Sequence, residues 1–130
     1  MTAFFGVLEL DTGKLTYCSA GHPPAMIKRG ASVELLARNS PMLAGFPRMH
    51  YRSGKTHLKK GDILLLYTDG IIEARDHEEF FGEQRLVDIL KDLQPMPAKK
   101  VPGALFGHVM EYTSGELSDD VAILVVSPEK

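Results

Sequence analysis

Ile63-Leu64-Leu65-Leu66-Tyr67-Thr68-Asp69-Gly70 is the stretch on which the fold turns. From Ile63 to Tyr67 no polar residue interrupts the run, so Ile63–Thr68 reads as a central strand buried on both faces. Lys59-Lys60-Gly61-Asp62 turns the chain into this strand, and Asp69-Gly70 closes it. A second apolar run, Val121–Val126, follows a second acidic turn, Ser118-Asp119-Asp120. Buried strands whose ends carry carboxylates call for a chemical explanation.

Strand signals also fill the chain ahead of this segment. Ala3–Leu10 passes through a hairpin-type turn, Asp11-Thr12-Gly13-Lys14, into Leu15–Ala20. Gly21-His22-Pro23-Pro24 breaks that strand, because proline has no N–H for the ladder. Ala25–Lys28 and Val33–Leu36 flank a second hairpin at Arg29-Gly30-Ala31-Ser32, a loop covers Ala37–Pro47, and His50–Leu58 reads as an exposed strand. Gly61-Asp62 is read as a plain turn. Further on the period changes. Leu86, Ile89, Leu90 and Leu93 fall at helical spacing within Glu83–Leu93, and Val101, Leu105, Val109 and Tyr112 mark a second helix. Pro102 is compatible with that helix only in its first turn. Strands, two helices and a closing strand make an α+β pattern without internal repeats.

Composition narrows the function. At 130 residues, with 44% hydrophobic and 25% charged residues, the chain is one domain or part of one and can bury a core. A net charge of −2 and a pI near 6.2 give no electrostatic case for nucleic acid or an anionic membrane. No run approaches the roughly 20 apolar residues of a membrane span, and the first residues have no basic region of a signal peptide. The single cysteine, Cys18, rules out an internal disulfide and suits a reducing cytoplasm. It reads as a small core residue. A Cys18–His22 catalytic pair is disfavoured, since such pairs come from distant segments. A strand beginning almost at Met1 gives the expectation that upstream sequence is missing.

Carboxylates at two neighbouring strand ends suit a hard divalent cation. Asp69 and Asp119 are the candidate ligands, and phosphoester hydrolysis is the natural reaction, because such ions acidify water and neutralise phosphate oxygens. Glu73 is either a supporting group or a solvated side chain. Each turn alone is also consistent with simple capping, as Asp-Gly is a common turn dipeptide.

Four segments occur in one order: Cys18-Ser19-Ala20-Gly21-His22-Pro23-Pro24, Lys60 to Ala74, Phe81-Gly82-Glu83-Gln84-Arg85-Leu86, and Asp119 to Val126. Together they resemble the C-terminal part of bacterial PPM-type serine/threonine phosphatases of the SpoIIE/RsbU group, from Phe4 to Val126. The resemblance implies a β-sandwich flanked by helices, incomplete at its N-terminal side, with residues 1–130 the C-terminal portion of one phosphatase domain. It implies that Asp69 and Asp119 bind magnesium or manganese in a two-ion centre. Gly70 then forms the tight turn, Asp120 supports the loop, and His22 fixes its own loop by hydrogen bonding. It implies a phosphorylated protein substrate, an anti-sigma-factor antagonist in this group, with no nucleic acid or membrane contact.

The chain departs from that pattern at one point. These phosphatases carry an earlier Asp-x-x-Gly-His-Gly segment that bridges both ions, and the present 130 residues contain none. The only Gly-His pairs are Gly21-His22 and Gly107-His108, neither in that context. The expectation is therefore a segment inactive alone, self-associating through its uncovered sheet. The alternatives are a degenerate phosphatase-like interaction module and an unrelated α+β scaffold with two accidental acidic turns.

Overall fold

A computed structural model of the chain describes residues 3–20, 23–36, 53–76, 79–113 and 120–128. Among them the strands are β1 (Ala3–Leu8), β2 (Lys14–Ala20), β3 (Ala25–Arg29), β4 (Ser32–Leu36), β5 (Gly54–His57), β6 (Ile63–Tyr67), β7 (Arg75–Asp76), β8 (Glu79–Phe80) and β9 (Ile123–Val126). The helices are α1 (Asp69–Ile72), α2 (Gly82–Asp92) and α3 (Val101–Thr113), with a single 3₁₀ turn at Ala98–Lys100 before α3.

The apolar run sits where its composition demands. β6 is hydrogen-bonded on both sides in an antiparallel sheet of order β4-β3-β6-β9, with Leu65 opposite Met26 on one side and Val125 on the other. Alternation sends its side chains to two different cores. Ile63, Leu65 and Tyr67 join Met26 beneath Leu86 and Leu90 of α2 and Val101, Leu105 and Val109 of α3. Leu64 points the other way, joining Ala25, Ile27 and Leu36 against Leu15 and Leu58. Leu15 belongs to a second sheet of order β1-β2-β5. The architecture is helices on a four-stranded sheet on a three-stranded sheet. Each fully buried leucine in the middle layer contributes about 1.5–3 kcal/mol of transfer free energy, so the middle layer holds both outer layers.

The expected α+β sandwich with flanking helices is the observed fold, with shifts at element ends. β1 stops at Leu8, because Glu9 N–H donates to the Lys14 carbonyl and closes a loop over Leu10–Gly13. Gly13 has φ +77, and a Cβ there would overlap the Leu58 carbonyl oxygen, so this corner needs glycine. β5 begins at Gly54; residues 50–52 of the expected strand, and the loop 37–47, lie outside the described residues. Cys18 is half-buried rather than in the core, because it pairs with the exposed Phe5 on the outer face of the three-stranded sheet. Pro102 occupies the second position of α3, inside the first turn as required.

Candidate metal centre at the ends of two strands

β6 and β9 run antiparallel, so the C-terminal end of one meets the N-terminal end of the other. Beyond the last ladder pair, Tyr67 with Ile123, the pairing continues in altered form. Thr68 N–H donates to the Ala122 carbonyl (3.1 Å), while Ala122 N–H donates to the Thr68 hydroxyl oxygen (3.0 Å). A side-chain acceptor replaces a backbone one at this point. This explains why β9 starts at Ile123 rather than at the expected Val121.

The substitution frees the backbone of Thr68 to turn. Its carbonyl accepts from Ile71 N–H (3.1 Å), and the Asp69 carbonyl accepts from Glu73 N–H (2.9 Å), winding Asp69–Ile72 into the single turn α1. Gly70 is buried in that turn against the facing strand end. A Cβ at Gly70 would overlap the carbonyl oxygen of Asp120 and stand 3.1 Å from Val121 Cγ2. The close approach of Asp120 to the Asp69-Gly70 turn therefore depends on the missing side chain.

The side chain of Asp69 is exposed at this junction, and no donor among the described residues pairs with its carboxylate. Asp120 is likewise exposed, and its main chain forms the surface against which Gly70 packs. Glu73 caps α1 by its backbone and projects into solvent. Asp119 and His22 lie outside the described residues, as does Gly21. Of the named site residues, the structure thus brings Asp69, Gly70 and Asp120 together at one end of the sandwich, with Glu73 one helical turn away.

An ionised carboxylate without a protein partner is a hard oxygen donor of the type that magnesium and manganese take. The described residues include no group of three ligating side chains. They fit one carboxylate ligand of such an ion, with a backbone contact that sets Asp120 beside the turn that carries it.

Two features here were not read from the sequence. Thr68 acts as the clasp, and its only signal was a β-branched hydroxyl at the exit of an apolar strand. The hairpin of β7 and β8 follows α1 directly, through Ala74 N–H to the Ile71 carbonyl and Phe81 N–H to the Ala74 carbonyl. Arg85 donates to the carbonyls of Phe80 and Phe81 (both 2.9 Å) and to Glu79 (3.0 Å), and Tyr112 donates to the Glu79 carbonyl (3.1 Å). The Glu79 hydrogen bond raises the Arg85 guanidinium above its ordinary pKa. These contacts fix the hairpin to α2 and α3.

A helix-covered sandwich with acidic turns at one end defines the class: it is the fold of PP2C phosphatase domains. The PP2C phosphatase domain of SpoIIE from Bacillus subtilis, solved with a fragment of its regulatory domain, superimposes with a TM-score of 0.83 at 26% identity, over 97% of this chain and 37% of that one. A manganese-presoaked form of the SpoIIE phosphatase domain gives 0.81 at 23% identity, over 100% of this chain and 57% of that one. The sequence profile of the family "Stage II sporulation protein E (SpoIIE)" matches residues 1–129, and the chain belongs to this family of PPM-type phosphatases. Protein IcfG of Synechocystis sp. is 35% identical over 91 residues, which is 68% of this chain and 14% of that protein. Phosphoserine phosphatase RsbU of Bacillus subtilis is 25% identical over 130 residues, which is 97% of this chain and 38% of that protein. The chain thus spans well under half the length of these two relatives.

Proposed function

We propose that these 130 residues form the C-terminal portion of a PPM-type phosphatase domain that hydrolyses phosphoserine or phosphothreonine on a regulatory protein. The observation carrying the proposal is the packing of Gly70 against the Asp120 carbonyl, which sets Asp120 beside the turn that bears Asp69. Asp69 and Asp119 hold magnesium or manganese in this reading, with Glu73 and Asp120 as supporting groups and His22 ordering its own loop. A divalent ion bound there supplies charge neutralisation and an acidified water for attack on phosphorus. Asp69 would hold such an ion from the end of a strand paired on both sides. Thr68 keeps the two turns in register, and Gly70 removes the side chain that would separate them.

The relatives support this substrate class, since two of them are named phosphoserine phosphatases. We assign a phosphorylated anti-sigma-factor antagonist as substrate, and the cytoplasm as location. No helix among the described residues is long and apolar enough to cross a membrane.

Without an Asp-x-x-Gly-His-Gly segment, these residues alone supply too few ligands for two ions. The expected result with a phosphoserine peptide and manganese is turnover at background. Turnover near that of an intact homologous domain would refute the incomplete site. A second reading is a phosphatase-like module that only binds a partner. The gene sequence ahead of Met1 separates the two: an Asp-x-x-Gly-His-Gly segment there means an enzyme, and its absence an interaction module.

We also assign self-association to the open side of the sandwich. β1 and β9 are edge strands of their sheets among the described residues, and Phe5 (69% exposed) and Leu124 (57%) lie on them. The alternating pattern set by the Thr68–Ala122 bond turns the N–H and C=O groups of Ile123 and Val125 away from β6. Unpaired edges of this kind recruit a second strand. Light scattering at tens of micromolar should report a dimer or larger species, and a stable monomer would contradict it.

A further inference from the structure

At the opposite end of β6 from Asp69, roughly 20 Å away along the strand, a buried cation faces a cavity. Lys28 lies two residues beyond Met26 on the helix-covered face of β3, opposite Ile63. Its stem runs beneath α2, the residue is only 8% exposed, and Nζ donates to the Lys91 carbonyl at 3.1 Å in the last turn of α2. An ammonium carries three donors. This carbonyl is its one hydrogen-bond partner, and no carboxylate pairs with it, among the described residues. A helix C-cap accounts for one of the three N–H bonds. The remaining donors are left for a group in the space that Lys28 faces.

Lys28 lines a cleft of about 590 Å³ between the last turn of α2, the 93–96 segment and the two turns at Gly30 and Gly61. That volume lies within the roughly 300–1,000 Å³ of small-molecule sites. The other lining is chemically mixed. Ile63, Leu93 and Met96 supply apolar surface, and Gln94 and Asp92 stand at the rim. The Ser127 hydroxyl is already committed, donating to the Asp62 carbonyl at 2.8 Å.

We propose that this cleft binds a small monocarboxylate with an apolar body, its carboxylate on Lys28 and its hydrocarbon on Ile63, Leu93 and Met96. One carboxylate satisfies the free ammonium donors in a charge-assisted pair. A dianion fits less well, because Asp92 and the negative end of the α2 dipole offset Lys91, the second cation of the lining, and leave Lys28 as the one uncompensated charge. The site shares β6 with the candidate metal centre but no residue with it, so it stands independently of the phosphatase reading.

The test is calorimetric titration of the full 130-residue chain with octanoate, 1-octanol and inorganic phosphate. Octanoate should bind saturably, with octanol and phosphate at least about tenfold weaker, as expected for a hydrogen-bonded charge pair. Lys28→Met keeps the stem and should weaken octanoate at least about tenfold on the same basis. Met96→Trp leaves the ammonium in place and should block the apolar half of the cleft, which decides the matter if Lys28→Met fails to fold. No saturable octanoate binding, equal binding of octanol, tighter binding of phosphate, or wild-type affinity in either folded variant would each overturn the proposal.

Discussion

Two aspartates bracket the same strand and live opposite lives. Asp62, just before β6, is 8% exposed and one of its carboxylate oxygens is doubly engaged: Oδ2 accepts from Arg29 Nη1 (2.8 Å) and from Lys59 N–H (2.8 Å). Arg29 in turn reaches the His57 carbonyl (2.8 Å) and the Thr56 hydroxyl (3.2 Å) on β5, stitching the two sheets together. Asp69, just after β6, is exposed with no donor on its carboxylate among the described residues. Both sit beside a glycine, and both flank the same apolar run. What separates them is where their acceptor capacity goes. Asp62 satisfies the protein's own cation, whereas Asp69 is left with oxygens to offer outward.

Substitutions can break or sharpen this contrast. The largest effect is expected for Gly70→Val, which drives a branched side chain into the Asp120 carbonyl. Overpacking against backbone should cost about 3 kcal/mol or more in urea unfolding. Asp62→Ala should follow, at about 2 kcal/mol, because it leaves Arg29 Nη1 and the Lys59 N–H without their acceptor. A value near zero would mean that the Arg29 clasp is a surface pair of little weight. Thr68→Val keeps the shape but deprives the Ala122 N–H of its acceptor, for about 1 kcal/mol. It should also weaken manganese binding by loosening the register of the two turns. Asp69→Asn should change stability by less than about 0.5 kcal/mol, since the native carboxylate supports no contact among the described residues. A stability loss comparable to that of Asp62→Ala would mean that the two aspartates do the same job.

Much of this contrast was within reach of the sequence, and the reasons for the rest are local. Ile63–Thr68 announced itself because a strand buried on both faces must be apolar at consecutive positions. The helices were legible through Leu86, Leu90, Val101, Leu105 and Val109, whose spacing matches the face they bury. The ends of β1 and β9 were misplaced by two residues each, because a closed loop at Glu9–Lys14 and a threonine hydroxyl took over ladder positions. The hairpin of β7 and β8 left no periodic signal. Two-residue strands carry no alternation, and what holds this one is long-range, from Arg85 and Tyr112. Asp62 and Asp69 could be told apart as turns before and after a strand, but Arg29 as the partner of Asp62 required the third dimension. The pairing of the candidate centre came from neighbouring strands distant in sequence. Asp69 and Asp120 were legible as acidic residues at strand ends, while the Gly70 contact between their turns was visible only in coordinates.

Manganese line broadening across the amide resonances of the full chain tests the central claim most directly, because it locates even a weakly held ion. The expected pattern is broadening centred on Asp69–Ile71 and Asp120–Ala122, abolished by Asp69→Asn and untouched around Asp62. Broadening centred on another acidic stretch, such as Asp88 to Asp92, or a pattern that survives Asp69→Asn, would contradict a metal centre at the joined ends of β6 and β9.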